Sequence, residues 1–298
     1  MHRVPRRARS PLHNYERRWQ FRTSNRGVDR WRMYQLTDEQ KAALIARYSG
    51  RFQVPLLSYG TVRDYCDSCD NLPWLSSVQN DLKDLQRPWT VKAALGLVPL
   101  GSRLLEIGAG QPLVAACLAE LGYEVTVVDP YDGSGGGPTE FDRFVQVYPK
   151  VQILRRTFQA DLPELANQTF DGIYSISVLE HIPAPELAAI VKAISFYLRP
   201  GGWVFHSVDC VLEGASAEYH IEQCNRIAVH HDVLMEGMPV DRDIAKLFER
   251  ARHDLETCYL SAAGHNLWRG AQPYETFPFR KVLSFQLAAK VAGNGRLE

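Results

Sequence analysis

Two short stretches of the sequence place glycine and acidic residues where a nucleotide could be held. Glu106-Ile-Gly-Ala-Gly110 follows an apolar stretch, and Asp129 ends a second apolar stretch that begins at Val125. An apolar strand, a glycine-rich turn, a helix and a second strand ending in an acidic residue form half of a nucleotide-binding βαβ unit. Glycines allow the backbone to approach a ligand closely, and a carboxylate accepts two hydroxyl hydrogen bonds. The spacing therefore predicts a nucleotide site.

The residues after the glycine turn argue against two common kinds of nucleotide site. In a dinucleotide fingerprint a third glycine lies three residues after the second, and Leu113 occupies that position here. NAD and FAD binding therefore lose their best support. The chain also contains no Gly-Lys-Ser or Gly-Lys-Thr, which excludes a phosphate-binding P-loop.

With these motifs in this order, residues 90–290 resemble a class I S-adenosylmethionine-dependent methyltransferase. Asp161 follows Phe158-Gln-Ala, and the segments 170–183 and 198–203 match later motifs of the family. The resemblance implies S-adenosylmethionine as cofactor and S-adenosylhomocysteine as product. It implies cofactor contacts from Glu106, Gly108, Ala109, Gly110, Asp129, Pro130, Asp161, Leu162 and Ser177. Pro112 departs from the pattern, since many members have a third glycine there, and we expect it to start the following helix.

The resemblance also implies a role for each part of this set. The glycines allow the backbone to approach the methionyl and ribose parts of the cofactor, and Asp129 takes both ribose hydroxyls. Asp161 lies beside the adenine amino group, with Leu162 as a contact of the ring. The turn above the strand at 170–178 is where the methyl group is delivered.

The residues that act on the methyl acceptor are less well defined. A sulfonium methyl is already electrophilic, so the protein mainly aligns a nucleophile and excludes water. A hydroxyl acceptor also needs a base. His181 is the first candidate, followed by His206 and Asp209 at the end of the next strand. The alternative is that His181 only packs near the cofactor, because Leu-Glu-His-Ile recurs in class I enzymes with many substrates.

Absent motifs disfavour several acceptor classes. Residues 175–178 are not the Asn/Asp-Pro-Pro-aromatic turn of enzymes that methylate base nitrogens, and no Pro-Cys nucleophile lies there. Asp209 alone does not make a metal site, so we predict no metal. We predict O-methylation of a small molecule or of a sugar or glycan hydroxyl. RNA or protein methylation that uses the basic N-terminus, and a non-catalytic cofactor-binding module, remain as alternatives.

Short apolar strands alternate with helical stretches from residue 102 onward. We predict strands at 102–107, 124–129, 151–155, 170–178, 202–209, 254–262 and 279–288, and helices at 112–121, 138–148, 184–198, 217–231 and 241–252. This alternation predicts an α/β fold, a three-layer αβα sandwich around a seven-stranded, mostly parallel sheet. A loop joins the last two predicted strands, so we expect them to pair as neighbours, with one strand antiparallel to the rest.

The chain before the sheet is predicted to form a tail and a helical extension. Residues 1–35 are typical of an Arg-rich disordered tail, and residues 36–100 of a helical N-terminal extension or lid. The cofactor-binding domain follows at 101–290, with an insert at about 210–253.

Local signals place two helices in the extension. Thr37-Asp-Glu-Gln40 has the form of a capping box and predicts a helix that Gly50 ends, while Pro88 predicts the start of another. Residues 51–88 show no periodicity. Their Cys66-Asp-Ser-Cys69 pair lacks the two further ligands that zinc requires.

Charge is unevenly distributed along a chain with 34 basic and 34 acidic residues. Residues 1–32 hold ten Arg against Glu16 and Asp29, which leaves 24 basic and 32 acidic residues in the body, a net charge of −8. A negative body attracts nucleic acid poorly, so we expect no nucleic-acid partner. A disordered tail or an over-extended start is favoured over a transit peptide or a nucleic-acid-binding arm.

Apolar runs and cysteines indicate the compartment. No apolar run approaches the length of a membrane span, and no secretory signal opens the chain. The six cysteines are scattered through a chain too large to need disulfides, which favours reduced thiols. We therefore expect a cytoplasmic protein with no membrane partner.

Overall fold

A seven-stranded sheet forms the centre of the protein. The computed structural model describes residues 35–76, 82–134, 137–214, 216–232, 243–260 and 281–291. The strands are β1 Leu57–Tyr59, β2 Arg103–Ile107, β3 Glu124–Asp129, β4 Gln152–Arg155, β5 Phe170–Ile176, β6 Leu198–Glu213 and β7 Lys281–Lys290. They lie in the order β1-β7-β6-β5-β2-β3-β4.

The directions of the strands confirm the predicted sheet. β2 pairs in parallel with β3 on one side and with β5 on the other. β3 also pairs in parallel with β4, and β5 with β6. β7 is antiparallel to both of its neighbours, β6 and β1. Within the described ranges β7 alone therefore runs against the other strands.

One of the seven strands is not the one that the sequence predicted. The strand predicted at 254–262 is wrong for its described part, where Thr257 and Tyr259 form only isolated bridges. β1 takes the free edge of β7 instead, with Leu57 opposite Leu287. The sequence did not predict β1 because a three-residue strand is too short to show an alternating pattern. β6 is also longer than predicted, since it pairs with β7 as far as Glu213.

Helices cover both faces of the sheet. They are α1 Asp38–Tyr48, α2 Val62–Asn71, α3 Pro73–Ser76, α4 Lys83–Leu97, α5 Leu113–Glu120, α6 Phe141–Val147, α7 Ala184–Tyr197, α8 Ala217–Asp232 and α9 Ile244–His253. On one face of β6, Val208 packs with Ile227 of α8. On the other face, Val211 packs with Leu82, next to α4. These contacts confirm a three-layer αβα sandwich.

The helix predictions are confirmed after residue 113 to within a few residues, with two corrections. Pro112 immediately precedes α5 rather than starting it. Pro88 is inside α4 rather than at its start, because the helix begins at Lys83. A proline near a helix start removes only one hydrogen bond, which the packed α4 tolerates. Across the described helices, none is both long and apolar enough to cross a membrane.

Two helices of the extension come from the segment that showed no periodicity. The predicted capping box of Thr37 and Gln40 is present and starts α1. A second box starts α2, where the Thr61 side chain accepts from the Asp64 amide and the Asp64 side chain accepts from the Thr61 amide. Asp replaces the usual Glu or Gln at the third position, so the sequence pattern was missed. The predicted tail at 1–35 lies outside the described residues except for its last residue.

A buried lysine joins three helices of the extension. Lys92 of α4 is fully buried, and its Nζ lies 3.1 Å from Asp67 Oδ2 and 3.1 Å from Ser68 Oγ of α2. Asp67 also accepts hydrogen bonds from Arg47 at 2.7 Å and from the Tyr48 hydroxyl at 2.8 Å, both on α1. Since a buried charge is costly without a partner, this network ties α1, α2 and α4 together.

Removing the two partners of this ion pair is expected to have unequal effects. Asp67→Ala should lower the free energy of unfolding by about 3 kcal/mol, because it leaves the Lys92 ammonium group buried without a carboxylate. Lys92→Met should cost less than about 1.5 kcal/mol, since Asp67 keeps Arg47 and Tyr48. Urea unfolding of both variants measures these values, and an equal or larger loss in Lys92→Met would contradict the assignment.

Candidate functional site

The carboxyl ends of β2, β3 and β5 meet at one edge of the sheet, and most of the predicted cofactor residues lie at or just after these ends. β2 lies between β3 and β5, so the chain leaves the sheet in opposite directions on its two sides. Ligands bind at such a switch point in open α/β sheets. The structure therefore brings together at this edge the Gly108–Gly110 turn, Asp129 and Ser177.

The glycine turn after β2 has the left-handed backbone that glycine allows. Gly108 has φ +66° and Gly110 has φ +55°. A Cβ atom at Gly108 would lie 2.8 Å from Val178 Cγ2, on the turn after β5. A side chain at this position would therefore separate the two turns.

Asp129 holds the ends of β2 and β3 together. Its Oδ2 accepts the Gly110 backbone N–H at 2.9 Å, and its Oδ1 accepts the Tyr131 backbone N–H at 2.8 Å. The residue is 8% exposed. A carboxylate bound to two backbone amides is fixed in orientation, and it has further lone pairs for a ligand.

Left-handed backbone conformations also occur along this edge in residues other than glycine. Tyr131 after β3, Asp161 after β4 and Ser177 after β5 have φ of +47°, +62° and +51°. Such conformations cost free energy in residues other than glycine, and they cluster at ligand sites. Asp161 is exposed, whereas the Leu162 side chain packs in the core and its backbone N–H donates to the Tyr197 hydroxyl at 2.6 Å.

Glu106 lies beneath the glycine turn and is almost completely buried. It accepts hydrogen bonds from the Tyr174 hydroxyl at 3.1 Å and from the Ala115 backbone amide in the first turn of α5. Burial raises the pKa of this carboxyl group to about 8, and the charge of Asp129 adds to the rise. These contacts give Glu106 a structural position, in which it links β2, β5 and the start of α5.

The extension supplies a residue to the other side of this edge. Gln86 of α4 is fully buried; its Oε1 accepts from the Ser177 hydroxyl at 2.8 Å, and its Nε2 donates to Asp209 Oδ1 at 2.7 Å. Gln86 therefore connects the turn after β5 with β6. Its neighbour Arg87 lies near enough to Glu106 to oppose the rise in the pKa of that group. The sequence contains no motif that points to either residue.

His181 is exposed and lies at the end of a 3-10 turn after β5, at Leu179–His181. Two side chains hold this turn. Glu180 Oε1 accepts the Asp209 backbone N–H at 2.9 Å, and Gln223 Nε2 of α8 donates to the carbonyl of Ile182 at 2.8 Å. Burial raises the pKa of Glu180 well above its usual range, and the charge of Asp209 raises it further.

The structure separates His206 from the other candidate bases. β6 continues to Glu213, so His206 lies within the strand rather than at its end. The residue is fully buried, its Nδ1 lies 2.8 Å from Ser175 Oγ, and its ring centroid lies 4.9 Å from that of His231. Burial lowers its pKa well below the usual value. The prediction that His206 and Asp209 lie at the strand end is therefore wrong, because Asp209 also lies within β6, opposite Ser284 of β7.

Cys66 and Cys69 both lie on α2, in the N-terminal extension, and both are free thiols. Among the residues that the structure describes, no group of three or more His, Cys, Asp or Glu side chains is arranged to hold a metal ion.

Comparison with known proteins identifies the family. Residues 79–269, more than half of the chain, match the family model described as "Methyltransferase domain". A ubiquinone biosynthesis O-methyltransferase of Paracidovorax citrulli is 33% identical over 119 residues, which cover 38% of this chain and 46% of that protein. An uncharacterized protein of Mycobacterium tuberculosis is 31% identical over 117 residues, which cover 39% of this chain and 38% of that protein. The chain thus spans less than half the length of these curated relatives.

Among solved structures, a geranyl diphosphate C-methyltransferase of Streptomyces coelicolor is similar over 87% of this chain and 100% of its own. The identity is 14% and the TM-score is 0.42.

The buried Glu106 is expected to make stability depend on pH. Its pKa is raised from 4.5 to about 8, so the folded protein binds this proton more tightly than the unfolded chain does. The contribution of protonated Glu106 to the free energy of unfolding is fully present below pH 4.5. It is lost as pH rises towards 8, at on the order of 1 kcal/mol per pH unit. Glu106→Gln keeps the shape but cannot ionise, so its stability should fall less over this window.

Urea unfolding of both proteins at several pH values between 5 and 8 measures this difference. Glu180 titrates in the same direction in both proteins, so it cancels in the comparison. Parallel pH curves would show that Glu106 is not the group responsible.

Proposed function

Because the chain belongs to the methyltransferase-domain family, a family of class I S-adenosylmethionine-dependent enzymes, we propose that it methylates a hydroxyl group of a small molecule, a sugar or a glycan. The observation that carries the proposal is the network in which Gln86 joins Ser177, just after β5, to Asp209 within β6. It places polar side chains beside the edge that carries the glycine turn and Asp129.

The residues at the edge fit S-adenosylmethionine. Gly108 and Gly110 provide a turn without side chains, and Asp129 has an oriented carboxylate for the two ribose hydroxyls. Tyr131 adds a buried hydroxyl that has no partner among the described residues. When bound, the cofactor supplies a methyl group on a positively charged sulfur. The family's remaining implied contacts, from Ala109, Pro130, Asp161, Leu162 and Ser177, belong to this proposal.

The chain's own residues then have to align the acceptor oxygen and remove its proton. A bound donor would give up its methyl group to the acceptor oxygen and keep the sulfur as S-adenosylhomocysteine, while a base of this chain would take the hydroxyl proton. We assign this base to His181, because its imidazole is exposed on the turn after β5 and an imidazole nitrogen can accept a proton. Glu180 and Gln223 hold the turn in place from both sides.

Asp209 has a different part in this proposal. It is 7% exposed and accepts from the Gln86 amide, so its carboxylate is fixed at the level where β5 ends. A fixed carboxylate there can accept a second hydroxyl of the acceptor and orient it. In this way Asp209 positions the acceptor, and His181 takes the proton.

The test is the release of S-adenosylhomocysteine with a panel of phenols, glycans, sugars and hydroxy acids, and with RNA and protein as further arms. At least one small hydroxyl compound is expected to be methylated. With that compound, His181→Gln should lower kcat about 100-fold because the base is lost, with unchanged affinity for S-adenosylhomocysteine. His253→Gln is the matched control, since His253 is an exposed histidine of α9 that pairs with Glu249.

Three results would contradict the proposal or its assignment of the base. Turnover with RNA or protein alone would assign the acceptor to another class. Binding of S-adenosylhomocysteine without turnover on any acceptor would indicate a non-catalytic module. If His181→Gln and His253→Gln have the same small effect, the base is not His181.

A further inference from the structure

Tyr131 is a buried tyrosine two residues after Asp129, and none of the motifs points to it. It is 1% exposed, and its ring packs against Phe141 and Phe144 of α6, with centroids 5.8 Å and 5.6 Å away. Packing of the ring alone would be served equally well by phenylalanine. The hydroxyl group therefore calls for a separate explanation.

The Tyr131 hydroxyl is buried and has no hydrogen-bond partner in the part of the chain that the structure describes. A buried polar group without a partner destabilises a protein, and such groups are few in native structures. The other buried tyrosines nearby differ in this respect. Tyr148 accepts from Gln111 Nε2 at 2.9 Å, and Tyr174 donates to Glu106 at 3.1 Å.

The backbone of Tyr131 is held in an unfavourable conformation by several contacts. Its φ is +47°, which is rare for a large side chain. Its N–H donates to Asp129 Oδ1 at 2.8 Å, and its carbonyl accepts from Arg155 Nη2 at 3.4 Å. Strain that the surroundings maintain in this way is typical of ligand sites.

The groups around the hydroxyl are those of the cofactor edge. Burial raises the pKa of Tyr131, and the nearby Asp129, Glu106 and Tyr148 raise it further. The phenol therefore stays protonated at neutral pH and can donate a hydrogen bond. The nearest ligand oxygens expected at this edge are the ribose hydroxyls that Asp129 would take.

We propose that the Tyr131 hydroxyl donates a hydrogen bond to the nucleoside part of S-adenosylmethionine and completes the ribose site formed by Asp129. The contact requires a small local shift, because the hydroxyl oxygen is buried. The inference shares its cofactor with the proposed function but does not depend on the acceptor or on His181.

The test compares Tyr131→Phe with the unaltered protein by calorimetry, with S-adenosylhomocysteine and with 5′-methylthioadenosine, which lacks the amino-acid part. The variant is expected to bind both ligands about five-fold more weakly. Thermal unfolding of the free variant should occur at the same or a higher temperature, since a buried hydroxyl without a partner has been removed. A purely structural role would not produce this combination.

Tyr123→Phe is the matched control. The Tyr123 hydroxyl donates to the carbonyl of Val98 at 2.8 Å, and the residue precedes β3 at the opposite edge of the sheet. Its loss is expected to lower the unfolding temperature and to leave both affinities unchanged.

Equal affinities of Tyr131→Phe and the unaltered protein would overturn the inference, while the proposed function would stand. Weaker binding of S-adenosylhomocysteine alone would overturn it too, because the contact would then lie on the amino-acid part. If the unaltered protein binds neither ligand, both the inference and the proposed function fail.

Discussion

The hydrogen bonds of the Asp129 carboxylate hold the functional edge together. One oxygen fixes the glycine turn after β2, and the other fixes the strained turn that begins at Tyr131. Without this carboxylate the Gly110 and Tyr131 amides would lose their shared acceptor, and Gly110 can adopt many conformations. The same group is the one expected to bind the ribose. Its structural role and its proposed ligand-binding role are therefore coupled.

The two sides of this edge are built from different parts of the chain. The side proposed for the cofactor comes from consecutive strand–turn–helix units, so most of its residues lie at or just after the ends of strands. The side proposed for the acceptor combines the turn after β5, the long strand β6 and Gln86 from the N-terminal extension. The Lys92 network fixes α4 against α1 and α2, and α4 in turn carries Gln86 to the sheet. The extension thereby becomes part of the site, and its stability affects the geometry there.

Sequence reasoning found the parts of the site that depend on local order along the chain. Glycines and an acidic residue after apolar strands indicated the sheet, its carboxyl edge and the family, because strand, turn and helix follow one another directly. Gln86 could not be found in this way, since its role arises from contacts with residues far along the chain. His206 was misplaced because the length of β6 depends on its pairing with β7. β1 was missed because a strand of three residues is too short to show an alternating hydrophobic pattern.

The central claim is that Asp129 binds the ribose of the methyl donor. Calorimetry with S-adenosylhomocysteine on Asp129→Asn tests it most directly, with Asp132→Asn as control, because Asp132 is exposed and its carboxylate accepts the Ser134 backbone N–H. Asp129→Asn is expected to raise the Kd at least about 100-fold, through loss of charged hydrogen bonds, and Asp132→Asn to leave it unchanged. An unchanged Kd in a folded Asp129→Asn protein would contradict a role of Asp129 in binding the ribose.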